Sequence, residues 1–191
     1  MVIWMRYKFF KLSDFLDDIE NKKESKNQVI KLLKTFKCEK NPDLEVFLKQ
    51  KALIFEKQKR ARSFLFIDIK TKKVLAYYTI SISLLNLENL PIHNELLEEI
   101  TGYKNHSQNL MPCYLIGQLG KSDLCNLKIG DKLIKYATNQ ILNCHYKLGG
   151  RFIILDAFNN YKLLKFYSKN GFIPIEKISP KKESIKMIYF L

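Results

Sequence analysis

The spacing of apolar residues along this chain changes from helical to strand-like and back. In the first third, Val29, Ile30, Leu32, Leu33 and Phe36 fall on one side of a helix. Leu44, Phe47, Leu48, Ala52 and Phe55 repeat the same pattern further on. Ser13 is placed to cap a shorter helix carrying Phe15, Leu16 and Ile19. Asn41-Pro42 is a second start signal, an Asn cap with Pro at the first helical position and Asp43 and Glu45 in the first turn. That helix runs out in the basic stretch Lys57 to Arg62. The first third therefore reads as helix throughout.

The period then shortens to two. Phe64 to Ile69 reads as a strand, Lys70 to Lys73 as a polar turn, and Val74 to Ser83 as a long strand, so the two form a hairpin. Residues 86–110 are mixed, with Pro91, a short acidic helix around Asn94 to Ile100 and the polar tract GYKNHSQN. Tyr114 to Leu119 is the next strand, and the loop Gly120 to Lys128 leads into a helix from about Ile129. Ile129, Leu133, Tyr136, Ala137 and Ile141 form its apolar stripe. Phe152 to Asp156 is apolar on both sides and reads as an interior strand. A helix over Tyr161 to Lys169 is stopped by Asn170-Gly171, and Phe172 to Ile175 and Ile185 to Leu191 close the chain as strands. The pattern predicts a mixed α/β fold on one sheet. It shows no internal repeat or linker, so residues 1–191 are expected to form a single domain.

Composition narrows the classes. No run of 18 or more apolar residues occurs, which excludes a membrane-spanning helix. Apolar residues make up 47% of the 191 positions, too many for a disordered chain. Cys38, Cys113, Cys125 and Cys144 lie far apart without a CxxC pair, so neither a metal site nor a disulfide framework is expected. The N-terminal MVIWMRYKFFKLSDF is broken by Arg6, Lys8 and Lys11, unlike a signal peptide. These readings favour a reducing, cytoplasmic setting. The net charge of +14 fits a nucleic-acid ligand, a phosphorylated cofactor, or a lysine-rich coding bias alone.

Candidate chemistry concentrates between Tyr114 and Phe172. A strand followed by a loop and a helix beginning near Gly130 is a general anion site, because backbone N–H groups lack partners there and the helix dipole adds positive charge. Lys121, Lys128 and Lys132 bring full charges to it, and Gly130 allows close backbone approach. Further on, Asn160, Leu163, Leu164 and Tyr167 lie on roughly one side of a helix that Gly171 breaks.

In these residues the chain resembles the GNAT (GCN5-related) N-acetyltransferases, from about Phe36 to the C-terminus. The family's C-terminal signature, N-x-x-A-x-x-F-Y-x-x-x-G-F, is matched by Asn160, Phe166, Tyr167, Gly171 and Phe172, with Leu163 in the Ala place. Its phosphate-cradling motif, Gln/Arg-x-x-Gly-x-Gly/Ala, falls on Cys125 to Gly130, where Cys125 replaces the Gln/Arg and Lys128 the first Gly. The resemblance implies a GNAT-like acyl-CoA N-acyltransferase fold: a mostly antiparallel sheet, flanking helices, and a splayed parallel strand pair that receives acetyl-CoA. It implies cofactor contacts at Leu119, Gly120, Lys121, Lys128, Ile129, Gly130, Asp131, Lys132, Asn160 and Tyr167. It also implies that Tyr167 is the catalytic acid toward the leaving thiolate, since a phenol keeps its proton at neutral pH. A base is less evident. Glu88 and Asp156 are candidates, whereas His93, His106 and His145 read as surface residues.

A narrower likeness is to the toxin branch of these enzymes, which modifies the amino group of aminoacyl-tRNA. It rests on Phe36-Lys37-Cys38, Phe47-Leu48 with Ala52, Ala76 to Ser81, Leu90-Pro91 and Ile116-Gly117-Gln118-Leu119, with Gln118 in an Arg place and a long segment at about 92–110. It implies a primary-amine acceptor, an antitoxin partner, no membrane partner, and an assembly that leaves a homodimer open. The basic clusters Lys57, Lys59, Arg60, Arg62 and Lys22, Lys23, Lys26 are candidate tRNA contacts. Two alternatives stay open: an acetyltransferase for a small-molecule or protein amine, and a non-catalytic RNA- or partner-binding module on the same fold.

Overall fold

The computed structural model describes residues 6–16, 23–88, 90–102 and 109–191, with the side chains of 23–25 excepted. Ile19, Lys22, the Lys23 side chain and His106 lie outside the described residues. In chain order the elements are β1 (Tyr7–Lys11), a 3-10 turn (Leu12–Phe15), α1 (Lys23–Lys34), α2 (Pro42–Val46), a π-helical turn (Phe47–Lys51) and α3 (Ala52–Lys57). Then come β2 (Arg62–Asp68), β3 (Lys73–Asn86), α4 (Asn94–Thr101), β4 (Leu110–Lys121), α5 (Gly130–Leu148), β5 (Phe152–Phe158), α6 (Tyr161–Lys169), β6 (Ile173–Pro174) and β7 (Ser184–Phe190). The strands form one seven-stranded sheet in the order β1-β2-β3-β4-β5-β7-β6, mostly antiparallel, with β4 and β5 as a parallel pair. This is the mixed α/β architecture, mostly antiparallel with one parallel strand pair and flanking helices, that the sequence predicts.

The chain divides into two compact units, Met1–Ser81 with Gln118–Ala137, and Ile82–Gly117 with Thr138–Leu191. In the first, β1 pairs with β2 from Tyr7↔Asp68 to Lys11↔Phe64, and β2 pairs with β3 from Arg62↔Ile80 to Asp68↔Lys73. Leu65, Ile67, Val74 and Tyr77 turn one face toward Val29, Leu33, Phe36, Leu48 and Ala52, and all are buried. The opposite face holds an aromatic row in which Phe64 stacks on Tyr78 at 4.9 Å and Phe9 meets Tyr136 at 4.2 Å. Strand β2 and the stretch Val74–Thr79 of β3 are thus buried on both sides, which is why Phe64 to Ile67 is apolar without alternation.

In the second unit, β5 pairs antiparallel with β7 along its whole length, from Phe152↔Phe190 to Phe158↔Ser184. Its core joins Leu85, Leu87, Met111, Cys113, Phe152, Ile154 and Ile188 under Ile100 of α4. The segment at 92–110 therefore contributes a core helix, with Ile100 fully buried.

Several expectations need correction. The first third is not all helix, because Tyr7–Lys11 is an edge strand whose five residues are organised by the ladder to β2. Among the described residues Ser13 is not a cap but lies inside a four-residue 3-10 turn, Leu12–Phe15, and the helix expected to carry Ile19 falls outside them. Asn41 makes no side-chain cap, and the Leu44 amide is taken instead by the Asn41 carbonyl at 3.2 Å. Gly120 belongs to the strand rather than to the loop, since β4 runs from Leu110 to Lys121. His145 lies inside α5, rather than after it, and is half-buried.

Candidate active site

The parallel pairing of β4 and β5 is brief. Its register covers only Tyr114↔Ile153 and Leu115↔Ile154. Beyond it, β4 continues through Ile116 and Gly117 and β5 through Leu155 and Asp156 without pairing to each other. Backbone groups cannot stay unpaired in a dry interior, so strands that part in this way expose their polar edges to solvent or ligand.

The predicted site residues fall in both units. Leu119, Gly120, Lys121, Lys128, Ile129, Gly130, Asp131 and Lys132 belong to the first, and Asn160 and Tyr167 to the second. At the end of β4, Leu119 is half-buried and Gly120 buried. A Cβ at Gly120 would stand 3.0 Å from Leu44 Cδ1 and 3.4 Å from Phe36 Cζ, so any larger residue here would push the Leu44 side chain of α2 aside. Lys121, Lys128, Asp131 and Lys132 are exposed around the start of α5, while Ile129 is buried and anchors it. The Leu133 amide donates to the Ile129 carbonyl at 2.8 Å, and Gly130 opens the helix. The opening turn of a helix offers N–H groups without intrahelical partners and a positive dipole end. With three exposed lysines beside it, this turn suits an anion. Cys125, in the Gln/Arg place of the phosphate motif, is buried and donates its amide to the Ser122 carbonyl at 2.9 Å.

Ser122 is a residue that the sequence pattern does not single out. It is fully buried, and its hydroxyl accepts the amides of Lys37 and Leu124, both at 3.3 Å. Its own amide donates to the Leu75 carbonyl at 2.8 Å. Asp123 adds a second tie, its carboxylate accepting the Glu39 amide at 2.7 Å. These bonds fix the loop that leads into α5. A serine in a polar stretch carries no periodic signal of such a role. Gln118, in an Arg place of the toxin-branch pattern, is half-buried and accepts from the Tyr77 hydroxyl at 3.5 Å.

In the second unit, Asn160 caps α6, its side-chain oxygen accepting the Lys162 amide at 2.9 Å. Leu164 and Tyr167 are buried, whereas Asn160 and Leu163 are exposed, so the expected common side is only partly a core face. Tyr167 lies edge-on to Phe166 at 5.1 Å and to Phe172 at 6.0 Å. Burial pushes its phenol up to about 12, which keeps it protonated at neutral pH. Gly171 ends the helix at φ +88°, and a Cβ there would come within 2.9 Å of the Tyr189 ring. The Phe172 amide then returns to the Tyr167 carbonyl at 3.1 Å. The signature residues therefore hold one another in place.

Of the candidate bases, Glu88 is exposed, and Asp156 pairs with Lys186 at 2.7 Å. Among the described residues no three His, Cys, Asp or Glu side chains gather as a metal ion would require, and no helix is long and apolar enough to cross a membrane. All four cysteines are free thiols.

No protein-family model and no curated protein matches the chain. Solved structures do. The chain is similar to AtaT complexed with acetyl-methionyl-tRNAfMet, at 21% identity over 83% of this chain and 86% of that one, with a TM-score of 0.64. It is similar to a tyrosine-to-phenylalanine mutant of the AtaT toxin bound to the C-terminus of the antitoxin AtaR and acetyl-CoA, at 19% identity, 83% and 84% coverage and a TM-score of 0.61. It is also similar to AtaTR bound with acetyl-CoA, at 19% identity, 97% and 93% coverage and a TM-score of 0.64. What these likenesses share with the chain is the fold.

Proposed function

We propose that the chain is an acetyl-CoA-dependent N-acetyltransferase whose acceptor is the amino group of an aminoacyl-tRNA. The observation that carries this reading is the early end of the β4–β5 pairing. The strand that leaves the pair runs on to a glycine-led helix start flanked by exposed lysines. Polar strand edges suit the amide groups of a pantetheine arm, and the cationic turn suits a diphosphate. Leu119, Gly120 and Lys121 would hold the arm. Lys128, Ile129, Gly130, Asp131 and Lys132 would hold the phosphates, and Asn160 would position the segment that carries Tyr167.

Acetyl-CoA supplies an acyl group activated as a thioester. The acceptor attacks as the neutral amine, forming the C–N bond as the C–S bond breaks. An α-amino group, at about 8, reaches that form at neutral pH far more readily than a lysine at about 10.4. Tyr167 donates its hydroxyl proton toward the departing sulfur. A phenol raised to about 12 is a weaker acid than a thiol at about 8.5, so the donation is completed by the new ammonium, which gives up the proton that restores the phenol. The balance is one proton from nitrogen to sulfur.

The likeness to a toxin solved with acetylated tRNA supports the choice of acceptor, the likeness to a toxin–antitoxin complex supports an antitoxin partner, and the charge of +14 supports a polyanionic ligand. The deciding experiment incubates the protein with radiolabelled acetyl-CoA and aminoacylated tRNA. Label on the tRNA amino group is expected. Label only on small amines or proteins would replace the acceptor, and a failure to bind acetyl-CoA at millimolar concentration would overturn the enzyme reading.

A further inference from the structure

Asp156 is the one charged residue of β5 and, with Phe158, one of its two exposed ones. Phe152, Ile153, Ile154, Leu155 and Ala157 are each at most 3% exposed, yet the Asp156 side chain is 53% exposed. Beyond Ile154 the strand has no ladder partner on its β4 edge, and the next two residues on the face of Ile154, Asp156 and Phe158, are exposed, so the layer over that face is open there. Asp156 sits at such an opening. It stands two residues past Ile154, the last β5 residue to pair with β4, and two residues past Leu115 on β4 stands Gly117, which is exposed and has no side chain to cover it. From the other flank, Lys186 of β7 reaches across the ladder pair Asp156↔Lys186 and puts Nζ 2.7 Å from Oδ1. Glu176 lies beyond, accepting the Lys186 amide at 3.4 Å and pairing with Lys182.

The geometry points to Asp156 as the residue that receives the acceptor's amino group, with Lys186 as its counter-ion in the resting protein. This rests on the acetyltransferase reading and names the contact by which the acceptor is recognised. Lys186 already presents a primary ammonium to this carboxylate at hydrogen-bond distance, so the site accepts the chemistry of the proposed ligand. An ion pair this exposed is weak in water, and an incoming neutral amino group, donating an N–H to the carboxylate, displaces Lys186 at little cost. The carboxylate also favours the reaction itself. The attacking nitrogen becomes positively charged as it bonds to the acyl carbon, and a fixed negative group beside it stabilises that charge. No proton is transferred to Asp156. Its role is to bind and orient.

The test compares wild-type protein with Asp156→Asn and Lys186→Met. Acetyl-CoA affinity is read by calorimetry, thermal stability by melting, and the KM and kcat for aminoacylated tRNA by label transfer, with a small primary amine run in parallel. Asp156→Asn is expected to raise the acceptor KM about tenfold or more and to leave the acetyl-CoA Kd within about twofold. Lys186→Met frees the carboxylate and is expected to lower the acceptor KM. An acceptor KM within twofold of wild type in Asp156→Asn overturns the inference. So does an equal loss of stability in both variants without a KM change, which would make the pair a cross-strand brace. Wild-type protein that fails to bind acetyl-CoA overturns the acetyltransferase reading, an outcome distinct from both.

Discussion

Both carboxylate oxygens of Asp68 face the Arg6 guanidinium, with Nε at 3.1 Å from Oδ1 and 3.0 Å from Oδ2, and Nη2 at 2.6 Å from Oδ2. Oδ1 also accepts the amides of Lys70 at 3.0 Å and Thr71 at 3.3 Å, so one side chain ties the edge strand β1 to the turn of the hairpin. The pairing with Arg6 lowers this carboxyl to about 2. Glu45, held by Lys49, by the Cys38 amide and by Lys37, is also lowered to about 2. A carboxyl whose folded value is depressed stabilises the fold fully above its unfolded value of about 4, and that contribution disappears as pH falls through the folded value. Stability is therefore expected to decline between about pH 4 and pH 2, as urea midpoints at stepped pH would show. Asp68→Asn should flatten that decline as well as lowering stability at neutral pH.

Tyr167→Phe keeps the ring between Phe166 and Phe172 and removes only the hydroxyl. Turnover is expected to drop by about 10²-fold or more, the usual worth of a positioned acid, while acetyl-CoA affinity stays within about twofold. Paired kinetics and calorimetry check this. An unchanged turnover would remove Tyr167 from the chemistry.

Gly171→Ala meets two obstacles, a left-handed φ of +88° and the Tyr189 ring 2.9 Å from the new Cβ. The expected loss is about 1–3 kcal/mol. In a chain of this size that lowers Tm by about 2–4 °C per kcal/mol. Because Gly171 closes the helix carrying Tyr167, turnover should fall along with stability.

Lys57, Lys59 and Arg60 are exposed at the end of α3, where Lys59 takes φ 57° and Arg60 lies 4.2 Å above the Phe55 ring. Replacing all three with glutamine should weaken tRNA binding and reduce the slope of log K against log salt by about one for each phosphate left unneutralised. Transfer to a small amine should be unaffected. Arg62 is left intact because it pairs with the buried Glu56 carboxylate at 2.9 Å.

The interior strand was legible over Phe152 to Asp156 because its run Phe152–Leu155, buried on both faces, is apolar without alternation, and the final helix because Asn170-Gly171 stops it, while the Asn160 cap emerged only from the structure. Tyr7–Lys11 was not legible, since its five residues, YKFFK, owe their conformation to a ladder with Arg62–Asp68 more than fifty positions away. The π-helical turn Phe47–Lys51 left the heptad-like pattern of Leu44, Phe47 and Leu48 unchanged and so gave no signal. At the site, Gly130 and Tyr167 stood out through motif spacing. Ser122 and Asp156 owe their significance to burial and exposure, which depend on neighbours that the linear pattern does not specify.

The two-pair ladder of Tyr114–Leu115 against Ile153–Ile154 creates strand edges inside a sheet. At the rim of a sheet such edges invite other chains to add on, and proteins guard against it. Placed in the interior, the same affinity is turned toward a slender molecule bearing its own amides, which can complete the ladder where a whole strand could not enter. On this view a ligand at the seam serves as a structural member: its arrival should slow amide exchange at Ile116, Gly117, Leu155 and Asp156, and each increment of occupancy should make the fold harder to open.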